Sequence, residues 1–260
     1  MLVLYLYPFV ASVFRSFLDK EGALTLANYA KAWDLYARDV FFSLGISLLS
    51  TTVAVVLSIV LAAYLRLATG RVSRLVGFVY RFPLFIPFVV VAQMMRTFLA
   101  PHGFLNIFLA QLGLIDLDFP LRLFNWQGLT FGFVWKQTAF TTLIVLGGFA
   151  MVDNSYIEAA RSVGAKLPQV IIRVLVPMSL TSIAVAVILV FTSVMGTFTL
   201  PFMILAGQPT TVTVDIAHRV TYFGDYGVAN ALGTITYLMV LVAAVYYLRY
   251  ALRKSIYDAG

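Results

Sequence analysis

Long apolar runs separated by short polar stretches organise this 260-residue chain. A helix needs about 20 apolar residues to cross the hydrocarbon core of a bilayer. Five runs meet that length, at 40–65, 76–100, 129–151, 174–197 and 228–250. With no water to hydrogen-bond the backbone inside lipid, such runs fold as helices. A sixth run, 1–14, is apolar but short, even when extended to Leu18, and it lacks the basic start of a signal peptide. It reads as the outer part of a first transmembrane helix, either short and tilted or begun before residue 1. The expected fold is an all-α membrane protein with six transmembrane helices, a single domain over 1–260.

Details within the runs add local expectations. Pro83 and Pro87 fall in the third run. Each removes a backbone donor and crowds the preceding turn, so a kinked or broken helix is predicted. Gly128 and Gly132 form a GxxxG pair at the start of the fourth, a weak sign of close helix packing. Between runs, 24–29 has a turn-and-cap composition, followed by an amphipathic stretch through Trp33 and Tyr36. Residues 103–109 form a short interfacial helix with Asn106 and Gln111 toward water. Trp126 and Trp135 suit an aromatic belt. The Thr-Val alternation at 210–214 has strand periodicity but is too short to decide the matter.

Composition reinforces the membrane reading. The chain is 62% hydrophobic and 11% charged, with mean hydropathy +0.95. Soluble domains are about 45–50% apolar and about 25% charged, so a soluble core would lack its polar shell. There are no cysteines, which excludes disulfides, thiolate metal sites and a Cys nucleophile.

Charge then sets an orientation. Arg66, Arg71, Arg74, Arg81, Arg161, Lys166, Arg173, Arg249, Arg253 and Lys254 share one side with only Asp153, Glu158 and Asp258. On the other side eight basic residues balance eight acids. The whole net charge of +7 therefore lies on one face, which the positive-inside rule makes cytoplasmic, with both termini inside. That topology accounts for the basic character, and no nucleic-acid partner is needed.

One cytoplasmic stretch, 153–177, is unusually polar and charged for this chain. Asn154 or Ser155 can cap a short helix, with Glu158 in its first turn at the positive end of the dipole. Ala159 and Ala160 leave room for a partner to approach. Gly164 permits the turn that ends this helix, and Pro168 suits the start of a second one. Pro177 marks entry into the membrane. The result is a helix–turn–helix on the cytoplasmic surface.

The pattern Glu158-Ala159-Ala160, three residues, Gly164, nine residues, Val174-x-Val176-Pro177 resembles the EAA loop of permease subunits of binding-protein-dependent type I ABC importers. Val174 and Val176 stand where Ile and Leu are usual. Asp153, Tyr156, six spans and the position between spans four and five agree with the family. The resemblance implies an ATP-driven solute importer working by alternating access. It also implies a cytoplasmic coupling helix between helices 4 and 5 that docks on the ATPase through Glu158, Ala159, Ala160, Arg161, Gly164 and Ala165. Implied partners are an ATPase dimer, a second permease subunit expected to be a different chain, an extracytoplasmic solute-binding protein and the lipid bilayer. Gly103–Asn106, Ser155–Ala165 and the Met195-Gly196, Phe198, Pro201-Phe202 pattern are similar to the group taking up polyamines, iron(III), phosphonates or sulfate. The run Phe223-Gly224-Asp225-Tyr226-Gly227 with Ala229 and Ala231 is similar to sugar permeases, the second choice.

The chain has no G-x-x-x-x-G-K-[ST] motif, so no cofactor is expected on it, and ATP and Mg belong to the partner ATPase. No catalytic or metal constellation occurs, and His102 and His218 are lone, solvated loop residues. Charges inside spans are costly and point to function. Here they are basic, Lys136 and Arg96, with the acids all assigned to loops. Either these two snorkel to the headgroups, or Lys136, Gln137, Thr141, Gln93, Thr192, Ser193 and Thr197 line a path. Such a path suits a small polar or anionic solute. A secondary transporter, the alternative class, calls for intramembrane carboxylates and usually an inverted repeat.

Overall fold

The computed structural model describes residues 2–205, 207 and 209–257. Asp258 and the side chains of Arg253 and Lys254, counted above on the basic side, lie outside the described residues, as do Met1 and Gly260 at the bounds of the expected domain. The described chain is all helical. Residues Leu18 and Leu24 pair as an isolated bridge, and no strand forms among the described residues.

In chain order the helices are α1 (Leu2–Ser16), α2 (Ala27–Leu67), α3 (Arg71–Val79), α4 (Phe82–Phe85), α5 (Phe88–Leu99), α6 (Phe104–Gln111) and α7 (Trp126–Ala150). Next come α8 (Asn154–Ser162), α9 (Leu167–Val170), a π-helical turn (Ile171–Leu175), α10 (Val176–Met178) and α11 (Leu180–Gly196). The last are α12 (Thr199–Ile204), α13 (Val212–Thr221) and α14 (Tyr226–Tyr257). Among the described residues, four helical stretches are long and apolar enough to cross a membrane: Ala27–Leu67, Phe88–Gln111, Trp126–Ala150 and Tyr226–Tyr247. A fifth arises if Leu167–Met178 and Leu180–Gly196, bent by 79°, count as one span.

Several boundaries differ from the sequence expectation. The amphipathic stretch before residue 40 is not separate from the second run. It fuses into the 41-residue α2, about 60 Å long at 1.5 Å per residue and twice the hydrocarbon thickness. The third run breaks twice, around Tyr80 and again at Ile86-Pro87, where Ile86 is extended. Each proline is accommodated at a helix start or just outside one, where its missing N–H is not needed. The 210–214 alternation is no strand. It opens α13, with Val212, Val214 and Asp215 buried on a helical face and the Val212 N–H donated to Ser43 Oγ at 2.9 Å.

Two compact units divide the chain. One comprises Met1–Ser47, Ala92–Leu129 and Met195–Val242, and the other Leu48–Val91, Thr130–Val194 and Ala243–Gly260. The first unit packs Ala32, Val40, Val212, Val228, Ala231 and Leu232 into its core. Its α1 is tied to α14 by Ser12 Oγ donating to Asn230 Oδ1 at 2.8 Å and by Phe9 against Tyr237. The second unit centres on Phe149, Val145, Leu175 and Ala186, with Ala62 and Ala63 of α2 letting the helices close up.

Asn106, expected to face water from the interfacial helix, is fully buried in the first unit. Its amide donates to the Ala100 and Leu121 carbonyls at 3.0 and 3.1 Å and accepts from the Leu121 N–H at 2.9 Å. Leu121 lies outside the helices, so the Asn106 side chain satisfies both its N–H and its carbonyl, and it adds a second donor to the Ala100 carbonyl, which also accepts the Gly103 N–H at 2.8 Å. Asn106→Ala is expected to lower stability in detergent by about 1–3 kcal/mol, since it strands the Leu121 N–H and carbonyl. Gln111→Ala, on the exposed end of α6, should change it by less than about 0.5 kcal/mol. Thermal unfolding of the two variants side by side checks the difference.

Candidate functional site

The 153–177 segment is built from two local stop signals. Asp153, rather than Asn154 or Ser155, caps α8, accepting the Ser155 N–H at 2.8 Å. That bond, and more weakly the Arg66 charge nearby, hold the Asp153 carboxyl below the ordinary carboxylate range. Glu158 falls in the second turn of α8, so the charge at the dipole's positive end comes from Asp153. The helix ends at Ser162 in a pair of bonds, Ala165 N–H to Ala160 O at 3.0 Å and Gly164 N–H to Arg161 O at 2.9 Å. This is the Schellman pattern, and it needs a left-handed residue at Gly164, whose φ is +81°. A Cβ built on Gly164 meets nothing within 4 Å, so a side chain there strains the backbone without clashing inside the chain. Pro168 sits in the first turn of α9, and the Lys166 N–H finds the Gln169 side chain at 2.8 Å.

The same segment divides sharply by exposure. Ile157 is buried in the second unit's core, and Ala160 and Ala165 lean against it. Glu158, Ala159, Arg161 and Gly164 are exposed. Around them Met151 (88%), Val163 (84%), Leu167 (55%) and Tyr156 (54%) are also open. Large exposed apolar groups therefore flank the polar face of α8.

The path residues divide between the two units, with Lys136, Gln137, Thr141, Thr192 and Ser193 in the second and Gln93 and Thr197 in the first. Lys136 is buried in the second unit, donating to the Pro83 carbonyl and to Ile86 O at 2.7 Å, with the Phe88 ring 5.3 Å away. Its ammonium thus fills the gap in hydrogen bonding left where the third run breaks. Gln137 Nε2 donates to Ser193 Oγ at 2.8 Å, linking α7 to α11, and Thr141 Oγ1 returns to Gln137 O. Thr192 is exposed. Gln93 and Thr197 belong to the first unit, Gln93 exposed and Thr197 half-buried. Arg96 is exposed on α5.

Sequence reasoning missed an acidic cluster in the first unit. Asp39 and Asp215, assigned to loops, lie within α2 and α13 and are both nearly inaccessible. Asp39 Oδ1 accepts the Thr210 N–H at 3.0 Å, and Asp215 Oδ1 accepts the Thr210 hydroxyl at 2.7 Å. Burial, assisted by the Asp39 charge and opposed by Thr210 and Arg219, pushes Asp215 up to about 6. His218, expected to be solvated, is half-buried and packs edge-on to Phe202 and Tyr222. Nearby, Asp225 pairs with Lys31 at 2.6 Å and Arg219 at 3.5 Å. These contacts were hidden because residues of distant runs meet only after folding.

A family model for the inner membrane component of binding-protein-dependent transport systems matches residues 54–256. The chain belongs to this family. It is 28% identical to the spermidine/putrescine transport system permease protein PotB of Escherichia coli (strain K12), over 95% of this chain and 92% of that protein. Identity is 25% to the trehalose/maltose transport system permease protein MalF of Thermococcus litoralis, over 90% of this chain and 81% of that one. A solved bacterial ABC transporter involved in importing the acidic polysaccharide alginate superposes with a TM-score of 0.82 at 20% identity, over 97% of this chain and 91% of that one. The fold is thus that of an ABC importer permease. As a permease subunit the chain is a transport component and not an enzyme, and the ATPase is a separate subunit.

The raised Asp215 gives this permease a pH signature. The fold favours the protonated carboxyl, so its contribution is greatest below about pH 4, the unfolded value, and is lost as pH rises toward about 6. Above that it is constant. Asp215→Asn is expected to remove this slope and to raise stability at pH 7 by roughly 1–3 kcal/mol. Thermal unfolding in detergent between pH 4.5 and 8 measures it.

Proposed function

We propose that the chain, taken over 1–260 as one transport domain, docks on its ATPase through 153–177. The supporting observation is the division of α8, with Ile157 anchored in the core while Glu158, Ala159, Arg161 and Gly164 stand among exposed Met151, Tyr156, Val163 and Leu167. In this reading α8 is the coupling helix between helices 4 and 5 of six, with Ala160 and Ala165 seating it. Both termini are cytoplasmic. ATP and Mg bind the ATPase dimer, and a second permease subunit of different sequence completes the path. The 200–227 segment faces a solute-binding protein on the other side of the inner membrane.

Labelling suits this cysteine-free chain. A cysteine replacing Ala159 is expected to crosslink to the ATPase and to react from the cytoplasmic side, and one at Gly207 from the opposite side. Gly164→Leu should uncouple transport from hydrolysis with insertion intact, because forcing a side chain into left-handed backbone costs about 1–2 kcal/mol. Crosslinks from position 159 only to the solute-binding protein would overturn the reading.

The solute we propose is small and polar, passing Lys136, Gln137, Thr141, Gln93, Thr192, Ser193 and Thr197. The basic and hydroxyl character of this set supports an anionic or hydroxylated solute. A polyamine is the second reading, supported by the similarity to PotB over nearly the whole chain. Lys136→Met is expected to cut uptake about tenfold at equal membrane level, the loss of a charged donor's bond, with Lys136→Arg retaining more. Uptake equal to the parent's in Lys136→Met would remove that residue from the path. Competition by spermidine against sugars and oxyanions separates the solute classes.

A further inference from the structure

Arg66 stands one residue before the end of α2, half-buried. Its guanidinium reaches three acceptors in succession along the chain. Nε donates to Phe149 O at 3.0 Å, and Nη2 to Val152 O at 2.9 Å and to Asn154 Oδ1 at 2.6 Å. Phe149 is in the last turn of α7, Val152 in the bend that follows, and Asn154 opens α8. All belong to the second unit.

These acceptors have a common origin. The final carbonyls of a helix lack intrahelical donors. Here α7 stops abruptly, and only short-range bonds such as Val152 N–H to Phe149 O at 3.3 Å close the bend. A planar guanidinium with several fixed donors can serve this staggered set at once. An ammonium on a flexible stem cannot hold the same three in one geometry. Beneath the bonds, Phe149, Val152 and Ile157 pack with Ala62 and Ala63 of α2 in one core cluster. On α7's other flank the approach is as tight: a Cβ on Gly148 would lie 2.6 Å from the Ser182 Cβ of α11. The α7–α8 corner is therefore gripped between α2 and α11.

We propose that Arg66 is the positioning residue that carries the movement of α8 into α2 and α7 together. The role rests on the reading that α8 docks on the ATPase. Without the guanidinium, α8 keeps its Asp153 cap and its Ile157 anchor but can pivot about the 151–153 bend. The ATPase would then move α8 without moving the two long helices. A purely topological role, one positive charge on the cytoplasmic side, is met equally by lysine, and that difference makes the proposal testable.

The experiment uses the full importer, with its partner permease, ATPase and solute-binding protein, reconstituted in liposomes. The readout is solute transported per ATP hydrolysed, alongside the crosslink from a cysteine at Ala159 to the ATPase. Arg66→Met is expected to leave assembly and the crosslink intact and to lower the ratio about tenfold, the scale of a lost charge-assisted hydrogen bond. Arg66→Lys should recover only part of it. Asn154→Ala should lower the ratio severalfold, and Asn154→Asp, which restores the acceptor, should recover it. A parental ratio in Arg66→Met, or full recovery in Arg66→Lys, overturns the proposal. If Arg66→Met fails to accumulate, an unchanged ratio in Asn154→Ala overturns it instead. Absence of the crosslink in Ala159→Cys with Arg66 intact would instead refute the docking reading itself.

Discussion

Backbone groups set free where a helix stops dominate this structure. Inside a bilayer there is no water to receive them, and each one left unpaired costs several kcal/mol. The chain breaks its helices repeatedly, within the third run at 80–81 and 86–87 and near the ends of runs at 100–103, 151–153 and 197–198. Side chains drawn from other segments close several of the gaps. Lys136 serves the carbonyls at Pro83 and Ile86, Asn106 those at Ala100 and Leu121, and Arg66 those at Phe149 and Val152. At the start of α13, Asp39 and Ser43 do the same for the Thr210 and Val212 N–H groups. Polar residues in an apolar chain are thus placed where the backbone demands them.

That demand explains which features could be read from the sequence. The long runs were legible because length and hydropathy alone decide membrane-crossing helices, and α2, α7 and α14 lie where the runs predict. The 158–177 pattern was legible because each residue acts locally: Gly164 sets its own φ, and Pro168 opens its own helix. The short helices α3, α4 and α12 were not, since their bounds depend on what meets their ends. Asn106 was misjudged for the same reason. A polar residue on a short amphipathic helix points to water by periodicity, but the acceptor it meets lies fifteen residues away. Asp215 was assigned to a loop because the Thr-Val alternation before it hid the start of α13.

Arg66 and Lys136 show how a single charge can be read too narrowly. By position both serve topology or a solute. In the folded chain each stitches two helices at a break in one of them, and these bonds are strongest where the surroundings are least polar. A transporter needs rigid bodies that move past one another, and rigidity across a broken helix must come from such cross-bonds. The exposed face of α8 and the bonds behind it lie within the same compact unit.

The π-helical turn at Ile171–Leu175 sets the register of the segment before it. Such a turn closes its hydrogen bonds over five residues instead of four, and so holds one residue more than the α-helix it interrupts. Each residue of an α-helix advances the facing direction by about 100°. Removing one residue between 171 and 175 would therefore restore regular helix and rotate 167–170 against α11 by about that angle. The distance from Gly164 to Pro177 is in this sense a dial setting. Relatives differing by one residue there would present a different side of the surface loop to whatever binds it, with every side chain in the loop unchanged.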